Sequence, residues 1–302
     1  MDAIDLFAGA GGFSTGAQMA GCRVVWAANH WPAAVDVHSQ NHPTTDHACQ
    51  DLQQADWTSV PRHDLLLASP ACQGHSRARG RERPHHDAQR STAWAVVSAV
   101  ECHRPRFALV ENVPEFERWT LYSSWCSAME ALGYALSPMV VDAADHGVAQ
   151  HRRRLFVVCS RSRHPLRIRL PRRDHVPAEN VIDMRSGRWS PIVRPGRSRA
   201  TLARIANGRA DHGHRFLTAY YGNEHGGRSL RRPIGTITTR DRWAVIDGDR
   251  MRMLSIAEAR VAMGFPDHYR LPENQRVAMR MLGNAVCPPV AADVIQAMEQ
   301  AA

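Results

Sequence analysis

Apolar residues in this chain recur as short unbroken runs closed by glycine, proline or polar turns, rather than as long amphipathic stripes. Residues 3–7 (AIDLF) form the first run, followed by a glycine-rich turn at 8–12 (AGAGG) and a predicted helix over 14–20. Comparable runs at 23–28, 63–69, 107–110 and 155–159 have the length and composition of buried strands. Helical stretches are predicted at 33–40 and 91–102. Strands alternating with helices predict an α/β protein with a doubly wound, largely parallel sheet. Ligands collect at the carboxyl ends of the strands in such sheets. Three polar or glycine-rich segments fall there: the turn after residue 7, residues 70–73, and Glu111-Asn112-Val113.

Between about 161 and 230 the pattern dissolves, because Arg, Pro and Gly interrupt every apolar piece. This region reads as a small, loop-rich module, mostly β or irregular, without a long helix. Helical periodicity resumes at 256–263 and 274–282, and a last helix is predicted from about 289 to 300. No internal repeat is visible.

Composition narrows the class. The 302 residues suffice for two domains, or for one domain with an insertion. At 44% hydrophobic and 22% charged the chain is globular, neither disordered nor fibrous. It has no run of 18 apolar residues, so no membrane span is expected. The first residues carry acid where a secretory signal carries base, and the seven cysteines form no CxxC pair or zinc-type spacing. A cytoplasmic protein with reduced thiols and no metal site is expected.

Charge points to a partner. All 38 basic residues are arginine. Residues 1–150 hold 10 Arg against 16 acidic residues, whereas 151–250 hold 23 Arg against 8. A compositional swap of Lys for Arg accounts for the missing lysine but not for this clustering. A polycationic middle suggests a polyanion, with nucleic acid foremost.

Taken in order, DLFAGAGGFSTG (5–16), SPACQGHS (69–76), ENV (111–113), QHRRR (150–154), RPIGTIT (232–238) and GNAVCPP (283–289) resemble the motif set of the cytosine-C5 DNA methyltransferases of bacteria and phages. The resemblance covers nearly the whole chain. It implies a Rossmann-like S-adenosylmethionine-dependent methyltransferase domain at 1–160 and a small, very basic target-recognition domain with its hinge at 161–265. A C-terminal segment, 266–302, would return to the catalytic domain. The implied reaction transfers a methyl group to C5 of a flipped cytosine in duplex DNA, through a covalent bond between Cys72 and C6.

The chemistry asks for these residue types. C5 of cytosine is too weak a nucleophile to accept a methyl group unaided. A thiolate adding at C6 makes C5 enamine-like, and neighbouring arginines favour a thiolate at Cys72. The resemblance assigns Glu111 to the proton at N3, Arg154 to the O2 side of the base, and Arg152 to bracing the glutamate or a phosphate. For the cofactor it implies Phe7, Gly9, Gly11, Gly12, His30, Trp31, Asp51, Leu52, Asn284 and Val286. Gln73, Ser76, Arg77, Arg79, Arg81 and Arg232 are the implied DNA contacts, the first five in a loop that closes over the flipped base. Of the six remaining cysteines, Cys22, Cys102, Cys126 and Cys159 read as small buried hydrophobes.

Two positions depart from the family pattern. His30 stands where an acid usually grips the ribose, and Ala71 stands where proline precedes the nucleophile. A tRNA cytosine-C5 methyltransferase and a catalytically inactive nucleic-acid-binding relative are the alternatives. The RNA-acting relatives usually carry a Cys-Phe-Thr signature, which this chain lacks, and the Cys72, Glu111 and Arg154 set argues against inactivity. A monomer is expected, with a cognate restriction endonuclease as partner if the protein belongs to a restriction-modification pair.

Overall fold

The computed structural model describes residues 1–71, 91–220 and 225–302. The chain divides into two compact units: residues 1–142, 153–172 and 285–302 form the first, and 143–152 with 173–284 form the second.

The first unit is built on seven strands: β1 (Asp2–Leu6), β2 (Arg23–Asn29), β3 (Asp46–Cys49), β4 (Leu65–Ala68), β5 (Phe107–Asn112), β6 (Ala135–Asp142) and β7 (Arg153–Ser160), in the spatial order β3-β2-β1-β4-β5-β7-β6. The first five are parallel, as the apolar runs predict. The last two depart from that expectation, since β7 lies antiparallel to both β5 and β6. Only residues 143–152 separate β6 from β7, too few for the crossover helix that parallel neighbours need. Strands β4 and β5 are buried along their whole length, which is why they read as continuous apolar runs. Helices α1 (Gly12–Met19), α2 (Pro32–Asn41), α3 (Ala93–His103) and α4 (Tyr122–Ala131) belong to this unit.

The second unit carries an antiparallel sheet of β8 (Ser190–Pro191), β9 (Arg215–Ala219), β10 (Trp243–Asp247) and β11 (Arg250–Met253), in the order β8-β11-β10-β9. Its helices are α5 (Arg199–His212), α6 (Ile256–Ala262) and α7 (Gln275–Asn284). Helix α5 corrects the expectation of a helix-free module. Ser198 caps it by accepting a hydrogen bond from Thr201 N at 3.2 Å, and its Arg, Ala and Leu residues favour helix without making a clear apolar stripe. Its Ile205 and Gly208 face the sheet, where a side chain at 208 would strike the Phe216 ring. A buried ion pair, Arg252 to Glu258 at 2.6 Å, joins β11 to the capping box that starts α6 at Ser255.

The chain re-enters the first unit at Ala285, later than the expected 266, and ends in helix α8 (Pro288–Ala301). Proline at its first turn suits a helix start. Helix α8 packs on α1 at backbone distance: a Cβ at Gly16 would lie 2.5 Å from Ala291 Cβ and 2.7 Å from Pro288 O. No helix among the described residues is long and apolar enough to cross a membrane. Overpacking this contact costs stability. Gly16→Ala is therefore expected to lower the unfolding free energy by about 1–3 kcal/mol, read from denaturant titration.

Candidate active site

In the first unit the chain winds one way from β1 through β2 to β3 and the other way from β4 to β5, so β1 and β4 flank the point where strand order reverses. The crevice outside their carboxyl ends is where an open α/β sheet binds ligand. The polar segments singled out in the sequence converge there.

The turn after β1 is made by residues that abandon ordinary backbone geometry. Phe7 has φ +61°, rare for a bulky residue, and Gly9 and Gly11 have φ +53° and +78°. The turn is held by Gly11 N donating to Ala8 O at 2.8 Å and Ala8 N to Ala28 O at 3.0 Å. Open space lies beside Gly9, where an added Cβ would meet only Phe7 O at 3.8 Å. On the other side, a Cβ at Gly12 would collide with the backbone of Val286. Of the two C-terminal residues expected near the cofactor, buried Val286 thus abuts the glycine turn, while exposed Asn284 closes α7 in the second unit.

Asp5, which opens the first motif but is given no role of its own by the resemblance, is fully buried in β1. Its Oδ2 accepts from Ser14 N at 3.1 Å and Ser14 Oγ at 2.7 Å, while Oδ1 is buried with no hydrogen-bond partner among the described residues. Burial pushes its carboxyl up to about 7, against the two bonds from Ser14. An open glycine cradle above a buried carboxyl fits a nucleoside-containing cofactor with positive charge.

At the ends of β2 and β3 the expected contacts are exposed or serve the backbone. His30 is exposed. Trp31 starts α2, its N–H donating to Asn29 Oδ1 at 2.9 Å. Asp51 caps a single helical turn, accepting from Gln53 N at 3.0 Å, and Leu52 beside it is buried.

The turn after β4 leads to Cys72, which lies outside the described residues, as do Gln73, Ser76, Arg77, Arg79 and Arg81. The two residues before Cys72 are anchored. Asn112 Nδ2 donates to Pro70 O at 3.2 Å, and Ala71 N donates to Thr92 Oγ1 at 3.1 Å. Asn112 is buried and also accepts from Val113 N at 2.9 Å. Its position at the end of a strand, beside Glu111, was the signal for this role.

Glu111 stands one residue earlier in β5 with its side chain 6% exposed, and Arg154 Nε approaches Glu111 Oε1 at 3.1 Å. Arg154, expected on the O2 side of the base, thus also meets the glutamate. The register explains the contact, since β7 runs antiparallel beside β5 and Arg154 lies two residues before Phe156, the partner of Glu111, on the same face of the sheet. Arg153 between the two arginines is exposed. Arg152, 2% exposed in the second unit, donates to Ile237 O at 3.0 Å and Gly283 O at 2.8 Å. Gln150 completes that locus, accepting from Ile237 N at 2.8 Å and donating to Ala262 O at 3.2 Å. The two motifs QHRRR and RPIGTIT are therefore stitched to each other. Arg232 is exposed.

Among the other cysteines, Cys22 and Cys159 are buried and Cys126 half-buried, whereas Cys102 is exposed on the last turn of α3, contrary to expectation. No group among the described residues could hold a metal ion.

Comparison with known proteins agrees with this geometry. The chain is 31% identical over 168 residues to the type II methyltransferase M.AgeI of Thalassovita gelatinovora, covering 52% of this chain and 39% of that protein. It is 25% identical over 314 residues to M.NlaX of Neisseria lactamica, covering 99% and 96%. The chain spans about half or less of the relatives it matches above 30% identity. The crystal structure of a prophage-encoded E. coli protein assigned as a DNA modification methyltransferase superposes with a TM-score of 0.73 at 20% identity, covering 100% of this chain and 99% of that one. The sequence model of the C-5 cytosine-specific DNA methylases matches residues 1–300, and the chain belongs to that family.

Proposed function

We propose that this protein transfers a methyl group from S-adenosylmethionine to C5 of cytosine in duplex DNA. The observation that carries this reading is the convergence, on adjacent strands β4 and β5, of an anchored turn leading to Cys72 and the buried Glu111–Arg154 pair. The type II names of the relatives support a modification role beside a cognate restriction endonuclease.

Phe7, Gly9, Gly11, Gly12, Trp31, Asp51, Leu52 and Val286 are the residues that would hold S-adenosylmethionine, which supplies the methyl group. With His30 in place of an acid, the ribose would lose a bidentate acceptor. The Cys72 thiolate adds to C6 of the extruded cytosine, and the electron pair displaced toward N3 is met by a proton from Glu111. C5 then takes the methyl group, a base removes the C5 proton, and the C6–S bond breaks to regenerate the thiolate. Arg154 keeps the Glu111 carboxyl oriented toward the ring. Arg77, Arg79 and Arg81, which follow Cys72 in the sequence, and exposed Arg232 contact phosphates.

Four outcomes are expected. Duplex DNA containing 5-fluorocytosine in the target site cannot lose a proton from C5, so the enzyme with S-adenosylmethionine is expected to form a denaturation-resistant adduct that Cys72→Ala abolishes. Adduct with tRNA in place of DNA, or with neither, overturns the reading. DNA affinity is expected to fall about 10³-fold or more between 50 and 200 mM salt, because binding displaces counterions from phosphates; equilibrium binding measures this. Finally, Arg154→Ala is expected to lower kcat/KM by about 10²-fold, as loss of a charge-orienting contact does. Arg152→Ala, which frees two buried carbonyls, is expected to cost about 2–4 kcal/mol of stability, read by denaturant titration.

A further inference from the structure

Beneath the glycine turn, a continuous line of hydrogen bonds runs from the buried strand β1 to the half-buried strand β3. Asp5 Oδ2 accepts from Ser14 Oγ at 2.7 Å, Ser14 Oγ meets His38 Nε2 at 2.9 Å, and His38 Nδ1 meets His47 Nε2 at 2.7 Å. Asp5, Ser14 and His38 are at most 1% exposed, whereas His47 is partly open to solvent. A second imidazole reaches the next residue of α1: His42 Nε2 lies 3.4 Å from Thr15 Oγ1, which donates to Gly11 O at 2.7 Å. The rings of His38 and His42 are 4.5 Å apart. Consecutive hydroxyls at the start of α1 are thus each addressed by a histidine.

The proton positions follow from the chemistry of the line. An ionised carboxylate only accepts, so Ser14 gives its hydroxyl proton to Asp5. Ser14 Oγ then accepts from His38 Nε2–H, and neutral His38 must accept at Nδ1 from His47 Nε2–H. The chain fixes both tautomers, and each link polarises the next.

We infer that His38 and His47 are positioning residues, holding Ser14 and through it the Asp5 carboxylate under the glycine turn, so that the turn's affinity for a cationic cofactor depends on the protonation of this relay. The inference rests on the reading of that turn as the S-adenosylmethionine site. The titratable groups facing the line are Asp5 from β1, His38 from α2 and His42 just past its end, and His47 with Asp46 from β3; α1 contributes the uncharged Ser14, Thr15 and Gln18. Burial holds His38 well below its ordinary value and His42 at about 4, so both are neutral at neutral pH. Burial raises Asp5 to about 7, so its charge is present above that pH and lost below it. Affinity for a cation therefore rises with pH through neutrality.

The experiment uses the full chain without DNA and two readouts. Calorimetry gives the Kd for S-adenosylmethionine from pH 6 to 8.5, and the carboxyl carbon resonance of Asp5, identified by its loss in Asp5→Asn, gives the titration midpoint without ligand. In the wild type, Asp5 is expected to titrate near neutrality, with affinity about tenfold weaker at pH 6 than at pH 8. His38→Leu, which removes the donor to Ser14, is expected to move both midpoints upward, and His47→Leu to move them less. His38→Gln, which keeps an N–H donor, is expected to return them toward the wild type. Unchanged midpoints in His38→Leu, with affinity reduced by one factor at every pH, overturn the relay and leave a structural role. Failure of the wild type to bind S-adenosylmethionine refutes the proposed function instead, and the Asp5 resonance still decides whether the histidines govern that carboxyl.

Discussion

The contact on which the rest depends is a backbone-to-backbone approach between residues nearly a whole chain apart. Gly12 lies so close to Val286 that no side chain fits between them, and Gly16 meets the first turn of α8 in the same way. This approach fixes the start of α1, and with it the turn at Gly9 and Gly11 and the Asp5–Ser14 bonds. A glycine here is a steric requirement rather than a source of freedom. The turn is thus open beside Gly9 and closed at Gly12 by Val286.

The reactive end of the sheet follows a different logic. Asn112 and Glu111 are neighbours on one strand, so their side chains leave opposite faces. One face ties down the turn before Cys72 through Pro70 O, and the other presents a carboxylate to Arg154. A single strand end therefore anchors the segment leading to the nucleophile and also carries the acid. The arginines divide labour similarly: Arg154 serves the carboxylate, while Arg152 joins the strand connection to carbonyls at 237 and 283.

The strands of the first unit were legible where burial on both faces leaves an unbroken apolar run, as in β4 (LLLA) and β5 (FALVEN). β3 (DHAC) escaped because an edge strand with exposed ends needs no such run. β6 escaped because Pro138 interrupts it, which only an edge strand tolerates. Helix α5 was hidden by its arginines and Gly208, whose purpose is visible only against Phe216. The candidate site was legible as residue types at strand ends. That Arg154 meets Glu111 was not, because that depends on the register of β7 against β5. Nor was the histidine relay, whose members are scattered over β1, α1, α2 and β3 and share no spacing that marks them.

The late arrival of α8 has a consequence for biosynthesis. A ribosome releases the glycine turn before the segment that packs on it, with the second unit emitted between them. Until residues 285–301 leave the exit tunnel, α1 has no partner on its glycine face, and the nascent protein holds an unfinished nucleoside cradle. The close packing on Gly12 and Gly16 is thus completed only after the second unit has been translated.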